Sequence, residues 1–275
     1  MSAHPKFGKE PLAPPHCALP PQKTHSKGKK TLALDLDETL VHSSFKPPPP
    51  PMKPDIILPV EIEGQVCKVF VLVRPGTEFF LQRLSKVYEL VIYTASLSKY
   101  ADPLVDILDA RGLIDHRLFR EHCTSIQGVY VKDMSLLGRP MPDSIIIDNS
   151  PTSYTFHPEN AIPILSWYDD PKDRCLFELI PLLESLAEVD DVRKYLPQFI
   201  TQDHRVDFQR ASHVLANAIT NPQLNIDKKQ RLMSMHRVSE HREEDEIDPE
   251  DNLANRNKKK ISGVNMTAAE VAAQQ

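Results

Sequence analysis

Residues Thr31 to Leu40 read Thr-Leu-Ala-Leu-Asp-Leu-Asp-Glu-Thr-Leu. An apolar run ends in two carboxylates two residues apart, Asp35 and Asp37, with Thr39 two further on. Side chains alternate along an extended chain, so residues i and i+2 point the same way. The segment therefore predicts a buried strand over Thr31–Leu36 whose end aims two acids at one place. Two carboxylates together at the end of a buried strand are costly unless a cation offsets them or one acid keeps its proton.

The apolar pattern that follows constrains the fold further. Asp55–Glu63 and Gln65–Val73, rich in Val and Ile, predict a hairpin turning near Gly64. Thr77–Val87 has helical spacing at Phe80, Leu81, Leu84 and Val87. Glu89–Thr94 predicts a strand, and Ser98 is placed to cap a helix running to about Ala110, with Gly112 beyond it. His116–Glu121, Gly128–Val131, Ser144–Ile147 and Ala161–Leu165 predict short strands, and Cys175–Val189 a helix. Short apolar strands alternating with helices imply an α/β fold with a parallel sheet covered on both faces. Sites in such sheets form at the carboxyl ends of the strands. Asp35 and Asp37, Thr94, and Asp148 with Asn149 each end a predicted strand.

Composition sets the boundaries. Of 25 prolines, six lie in Pro5–Pro21 and five form the block Pro47–Pro51. The chain divides into a disordered Pro-rich arm (1–29), a main domain (30–200) with an insert at about 45–73, and a polar tail (201–275). The tail is expected to be mostly disordered, with a short amphipathic helix near Val206–Ile219, an acidic block at Ser239–Asp251 and a basic one at Arg256–Lys260. A net charge of −5 gives no case for direct nucleic-acid binding. Cys17, Cys67, Cys123 and Cys175 form no Cys-x-x-Cys, which implies reduced thiols in a nuclear or cytoplasmic protein. No apolar run approaches a membrane span, the N-terminus is unlike a signal peptide, and a monomer is expected.

Paired strand-end acids suit phosphoryl transfer. A carboxylate can attack phosphorus and become an aspartyl-phosphate. Asp35 is best placed to attack and to touch a metal, while Asp37 is placed to protonate the leaving oxygen and then to deprotonate water. The two acids need opposite protonation states at the start, which a cation beside Asp35 and a less charged setting for Asp37 would supply. The transferred group also needs positive charge and donors. Lys132 is the candidate cation and Thr94 the candidate donor. Mg²⁺ prefers oxygen ligands and keeps several waters. Asp35, the Asp37 main-chain carbonyl, and Asp148 or Asn149 fit that preference.

The string Leu-Asp-Leu-Asp-Glu-Thr-Leu-Val-His-Ser resembles the haloacid-dehalogenase superfamily. Within it, the chain is similar to the small phosphatases of the RNA polymerase II C-terminal domain. Val-Arg-Pro-Gly (73–76), Tyr-Thr-Ala-Ser-Leu-Ser-Lys-Tyr-Ala-Asp-Pro (93–103), Leu-Phe-Arg-Glu (118–121), Tyr-Val-Lys-Asp-Met-Ser (130–135) and Ile-Asp-Asn-Ser-Pro (147–151) carry the likeness over roughly Lys30–Leu196. The resemblance implies a doubly wound, Rossmann-like sheet with a small β insert after the first strand, and a Mg²⁺-dependent protein serine/threonine phosphatase. Its substrate would be the polymerase tail or similar Ser-Pro phosphoproteins. Asp35 would be the nucleophile, Asp37 the acid/base, Thr39 a support of the loop, and Thr94 and Lys132 ligands of the phosphoryl group. Asp148 and Asn149 would belong to the Mg²⁺ site and Arg120 would lie near the phosphate. Phe45, Val60, Ile62, Val69 and Leu97 would form an apolar pocket that seats a proline.

The chain departs from that pattern in the five consecutive prolines after Phe45, where the specificity insert begins, and the remainder is too short and polar for a BRCT module. Plainer readings stand beside several of these roles. Arg120 can pair with an acid, Arg74 can buttress the turn at Pro75-Gly76, and His42 can make a structural hydrogen bond. The apolar set can be core of the insert, Trp167 can be core, and the proline block can be a spacer. A lipid or small-molecule phosphatase, or a non-catalytic scaffold, would use the same fold.

Overall fold

The computed structural model describes residues 18–62 and 64–220. The strands and helices, in chain order, begin with β1 (Lys30–Leu34), β2 (Val41–Ser44), β3 (Ile56–Ile62), β4 (Gln65–Val73), α1 (Thr77–Leu84), β5 (Tyr88–Tyr93), α2 (Ser98–Leu108) and β6 (His116–Leu118). There follow β7 (Thr124–Ile126), β8 (Val129–Val131), β9 (Ser144–Asp148), β10 (Ala161–Pro163), α3 (Cys175–Leu186), α4 (Leu196–Phe199) and α5 (Phe208–Thr220).

Neither β1 nor β9 has a side facing water, and every residue in both is buried. Strands buried on both faces belong inside a parallel sheet. The main sheet runs β10-β9-β1-β5-β6, with every neighbouring pair parallel. Leu32 lies opposite Leu90 on one side and Ile145 on the other. Strand alternation sorts the core into two clusters. Leu32, Leu34, Leu90, Ile92, Ile145 and Ile147 join residues of α1, α2, α3 and α5. Ala33, Val91, Tyr93 and Ile146 face the other way, onto Leu118, Met134, Leu137, Tyr154 and Leu19. The second face is thus closed mainly by irregular segments rather than by α-helices. From central β1 the chain builds β5 and β6 on one side, then β9 and β10 on the other. The reversal between β1 and β9 opens a crevice at their carboxyl ends.

A smaller antiparallel sheet, β2-β4-β3, forms the insert, and β7 pairs with β8 in a separate hairpin. The sequence does not predict β2 or β7. β1 stops at Leu34 rather than Leu36, because Leu40 and Val41 both return their N–H groups to the Leu36 carbonyl and Glu38 turns the chain at φ 58°. Strand β6 is shorter than expected, since Arg120–His122 coils into a 3₁₀ turn. Leu97, not Ser98, holds the N-cap position of α2.

The arm is a larger correction. Residues 18–29 are ordered against the domain: Leu19 is buried, and the Ala18 N–H donates to the Leu136 carbonyl at 2.8 Å. Gln22 Nε2 donates to Glu89 Oε2 at 3.2 Å, Ser26 Oγ donates to Asp115 Oδ2 at 3.0 Å, and His25 Nε2 sits 2.8 Å from Asp115 Oδ1. One apolar anchor and a few buried polar partners suffice where the sheet offers them, and composition does not report such partners. At the other end α5 matches the expected helix, with Ala211 and Leu215 in the core. The expectations for residues 1–17 and 221–275, including Cys17 and both charge blocks, lie outside the described residues. Cys67, Cys123 and Cys175 are free thiols. Among the described residues no helix is long and apolar enough to cross a membrane.

Candidate active site

Four chain segments meet at the crevice: the loop after β1, the loop after β5, the residue following β8, and the end of β9. Asp35 is the first residue beyond β1, and its N–H still donates to the Ile147 carbonyl at 3.0 Å, which ties the loop to the sheet. Its side chain is fixed at both oxygens. Lys132 Nζ donates to Oδ1 at 2.6 Å and Thr39 Oγ1 donates to Oδ2 at 2.9 Å. Lys132 follows β8 and is anchored by its N–H to the Ser153 carbonyl at 2.7 Å. Nζ also donates to Asp148 Oδ2 at 2.6 Å. The ammonium therefore lies between two buried carboxylates. Burial opposes its charge, but Asp35 and Asp148 outweigh that, and the Lys132 pKa is held above its ordinary value. Asp148 is pushed up by burial, against the pull of Lys132.

Asp37 sits in a different setting. Among the described residues no cation touches it; instead Ser96 Oγ donates to Oδ2 at 2.7 Å and the Tyr100 hydroxyl donates to Oδ1 at 2.6 Å. Burial raises its carboxyl above the usual range, the two hydroxyls pull it part of the way back, and the charge of Asp35 pushes it up again. Two acids two residues apart thus experience the opposite surroundings that the chemistry asks for: an ammonium on one, hydroxyls and burial on the other.

The remaining predicted residues fall into two groups. Thr94 is buried directly after β5, and its Oγ1 accepts the Ser96 N–H at 3.0 Å. Asn149 follows Asp148, with Nδ2 donating to Ser166 Oγ at 2.9 Å and Oδ1 lying 3.5 Å from Thr39 Oγ1. Arg120 pairs with no acid among the described residues; its Nε donates to the Ala95 carbonyl at 2.7 Å and its guanidinium lies 5.0 Å from the Tyr130 ring centre. The apolar set divides. Val60 and Val69 are buried in the main core, whereas Phe45 and Leu97 are exposed. The Ile62 side chain lies outside the described residues. A single pocket wall made of all five is therefore not what the structure presents: Val60 and Val69 point to the inner face of the small sheet.

Several supports are not evident from residue type. Arg74 does more than buttress its turn. Its Nε and Nη2 hold Asp173 at 2.8 and 2.9 Å, while Nη1 donates to the Thr39 carbonyl at 3.1 Å. His42 Nδ1 lies 3.0 Å from Glu38 Oε1, and Trp167 is buried with its N–H donating to the Glu38 carbonyl at 2.8 Å. Both have the structural roles that were the plainer readings. Ser96 and Tyr100 went unpredicted. Ser96 was within reach of the strand-end rule, two residues beyond Thr94, but Tyr100 stands in the first turn of α2, where sequence gives no direction.

A divalent metal is implied by the resemblance, and its fit can be judged from the donors. Asp35, Asp148 and Asn149 offer oxygen only, and the Thr39 hydroxyl lies within hydrogen-bonding range of both Asp35 and Asn149. Among the described residues no three His, Cys, Asp or Glu side chains form a cage. Oxygen donors that leave most of the shell to water and phosphate suit Mg²⁺ better than a softer metal. The residues fit the ion.

Residues 30–193 match the family model described as NLI interacting factor-like phosphatase. A probable C-terminal domain small phosphatase from Dictyostelium discoideum is 57% identical over 171 residues, covering 62% of this chain and 55% of that protein. Phosphatase PSR1 of Saccharomyces cerevisiae is 56% identical over 169 residues, covering 62% of this chain and 39% of that one. A human CTD small phosphatase-like protein is 52% identical over 186 residues, covering 68% and 66%. The chain thus spans between about two fifths and two thirds of the length of these relatives. The matched segment begins at β1, ends shortly after α3, and holds every residue of the cluster around Asp35. The chain belongs to the NLI interacting factor-like phosphatase family.

Proposed function

We propose that the protein is a Mg²⁺-dependent phosphoprotein phosphatase that works through an aspartyl-phosphate on Asp35. The contrast between Asp35 on an ammonium and Asp37 on two hydroxyls carries the reading. In the first step Asp35 Oδ attacks phosphorus and the bond from phosphorus to the serine oxygen breaks. Asp37 gives its proton to the departing oxygen, which is a poor leaving group without it; such help is typically worth ~10²–10⁴-fold. In the second step Asp37, now a carboxylate, takes a proton from water. That water attacks phosphorus, the bond to Asp35 breaks, and phosphate leaves with both acids restored. Lys132 donates to Asp35 and supplies positive charge beside the phosphoryl oxygens, and Thr94 supplies a donor. Asp35, the Asp37 carbonyl, Asp148 and Asn149 would hold Mg²⁺, which would neutralise phosphoryl charge during the transfer.

Mouse and human relatives named carboxy-terminal domain RNA polymerase II polypeptide A small phosphatase 2 support the polymerase tail or a similar Ser-Pro phosphoprotein as substrate, and nuclear or cytoplasmic action goes with that substrate class. Exposed Phe45 and Leu97 remain available as apolar contacts for such a peptide, with Arg120 at the same end of the sheet. The test is phosphate release from a phosphorylated heptad-repeat peptide, set beside an unrelated phosphopeptide and phosphatidic acid. The heptad peptide should be preferred, and chelation should stop turnover until Mg²⁺ is returned. Asp35→Asn should lower kcat by at least ~10³-fold. Near-normal turnover by that variant would reject the nucleophile, and preference for phosphatidic acid would reject the substrate class.

A further inference from the structure

We infer that Tyr100 and Ser96 are positioning residues for the acid/base Asp37, and that Ser43 extends this clamp into the insert sheet. The inference rests on the reading of Asp37 given above and deepens it. Both oxygens of Asp37 are held by hydroxyls, Ser96 on Oδ2 and Tyr100 on Oδ1. A carboxylate gripped at both oxygens cannot rotate about its last bond, so its plane is fixed. Each oxygen keeps a second lone pair, on which a transferable proton can sit. The hydroxyl count sets the direction of the chain. Tyr100 has one proton and gives it to Asp37, so the contact between Ser43 and the Tyr100 oxygen must have Ser43 as donor. The order Ser43 to Tyr100 to Asp37 links β2, α2 and the loop after β1.

Ser96 ties the same acid to the rest of the site. Its N–H donates to Thr94 Oγ1 at 3.0 Å, and its carbonyl accepts the Arg120 N–H at 3.0 Å. One short loop after β5 therefore sets the positions of the acid, the Thr94 hydroxyl and the start of the Arg120 turn. A small misplacement of a catalytic group is enough to cost ~10²-fold, so removing one of two grips should be felt in the proton transfer itself.

The useful property of an acid is that its value depends on the leaving group. An aryl phosphate such as 4-nitrophenyl phosphate departs with little protonation, whereas a serine alkoxide cannot. The experiment measures kcat/KM for Tyr100→Phe, Ser96→Ala and Ser43→Ala on a phosphoserine heptad peptide and on 4-nitrophenyl phosphate. Asp35→Asn and Asp37→Asn are run beside them. Tyr100→Phe and Ser96→Ala should each lose roughly tenfold more on the peptide than on the aryl phosphate, with a smaller loss of the same kind for Ser43→Ala. In the Asp37→Asn background the Tyr100→Phe change should add less than about twofold, because groups acting as one unit are not additive. Equal losses on both substrates, or full additivity with Asp37→Asn, would overturn the positioning role while an inactive Asp35→Asn left the phosphatase reading standing. An active Asp35→Asn would instead remove that reading and this inference with it.

Discussion

Arg74 has a side chain closed off from water, yet it is charged and lies between two parts of the molecule that need holding together. Its fork grips Asp173 bidentately, and its third nitrogen reaches the carbonyl of Thr39, whose hydroxyl donates to Asp35. Burial pushes the Asp173 carboxyl up, but the hydrogen bonds and charge of Arg74 outweigh it and hold the carboxyl below its ordinary value. A depressed carboxyl contributes stability above its unfolded value, near 3.9, and loses it as the pH falls through the folded value. Arg74→Met should therefore lower the unfolding free energy by roughly 3 kcal/mol near neutrality, most of it from Asp173 and the Thr39 carbonyl left without their donor. The gap between wild type and variant, read from denaturant midpoints, should narrow as the pH drops below about 4. A gap that holds constant to about pH 3 would assign the loss to packing rather than to the ion pair.

At the scale of elements, Gly76 shows how a single turn sets two helices. It stands at φ 89°, directly before α1, and a Cβ there would come within 2.6 Å of Phe177 Cε2 on α3. Gly76→Ala combines left-handed strain of about 1 kcal/mol with a displaced aromatic ring, for a total near 2 kcal/mol. That corresponds to a fall in Tm of about 4–8 °C for a domain of this size. Phe177→Ala in the same chain should relieve the clash but not the strain, so the two changes should be less than additive. Strict additivity would mean that the ring is not what resists the Cβ. The same turn marks where sequence reading succeeds and where it stops. Val-Arg-Pro-Gly announces a break before a helix, and the apolar pattern gives β5 and β9 to within one residue at each end and the starts of α1 and α3, although both helices stop three residues before the expected ends. It misses β2, where Val-His-Ser-Ser has one apolar residue in four and becomes a strand only by pairing with β4. It also splits the site unevenly. Asp35, Asp37, Thr94, Lys132 and Asp148 are legible because each ends or adjoins a strand, whereas Tyr100 and Asp173 reach their partners across 63 and 99 residues.

For the whole molecule, the informative case is the arm, since its composition argues for disorder while its contacts argue for a structural part. Leu19 packs on the second face of the sheet, in the same cluster as Met134 and Leu137. Those two residues belong to the turn that follows Lys132. Ala18 binds the Leu136 carbonyl, and Arg139 Nη2 donates to the Pro20 carbonyl at 2.7 Å. The arm thus braces the segment that presents the Lys132 ammonium, and it brings Ser26 Oγ and His25 Nε2 to the buried Asp115 carboxylate. A chain begun at Lys30, where the family match starts, should be less stable than one begun at Ala18. Burial of Leu19 contributes about 2 kcal/mol, and exposing or orphaning the partners of Gln22 and Ser26 costs about 1–3 kcal/mol more. Because the turn after Lys132 loosens first, kcat on a phosphoserine peptide should fall several-fold at temperatures where the shortened chain is still folded. Restoring residues 18–29 with Leu19→Ala should recover the polar contacts but not the Leu19 packing, and so give an intermediate stability. Equal denaturation midpoints for the two chains would show that the arm rests on the domain without bracing it.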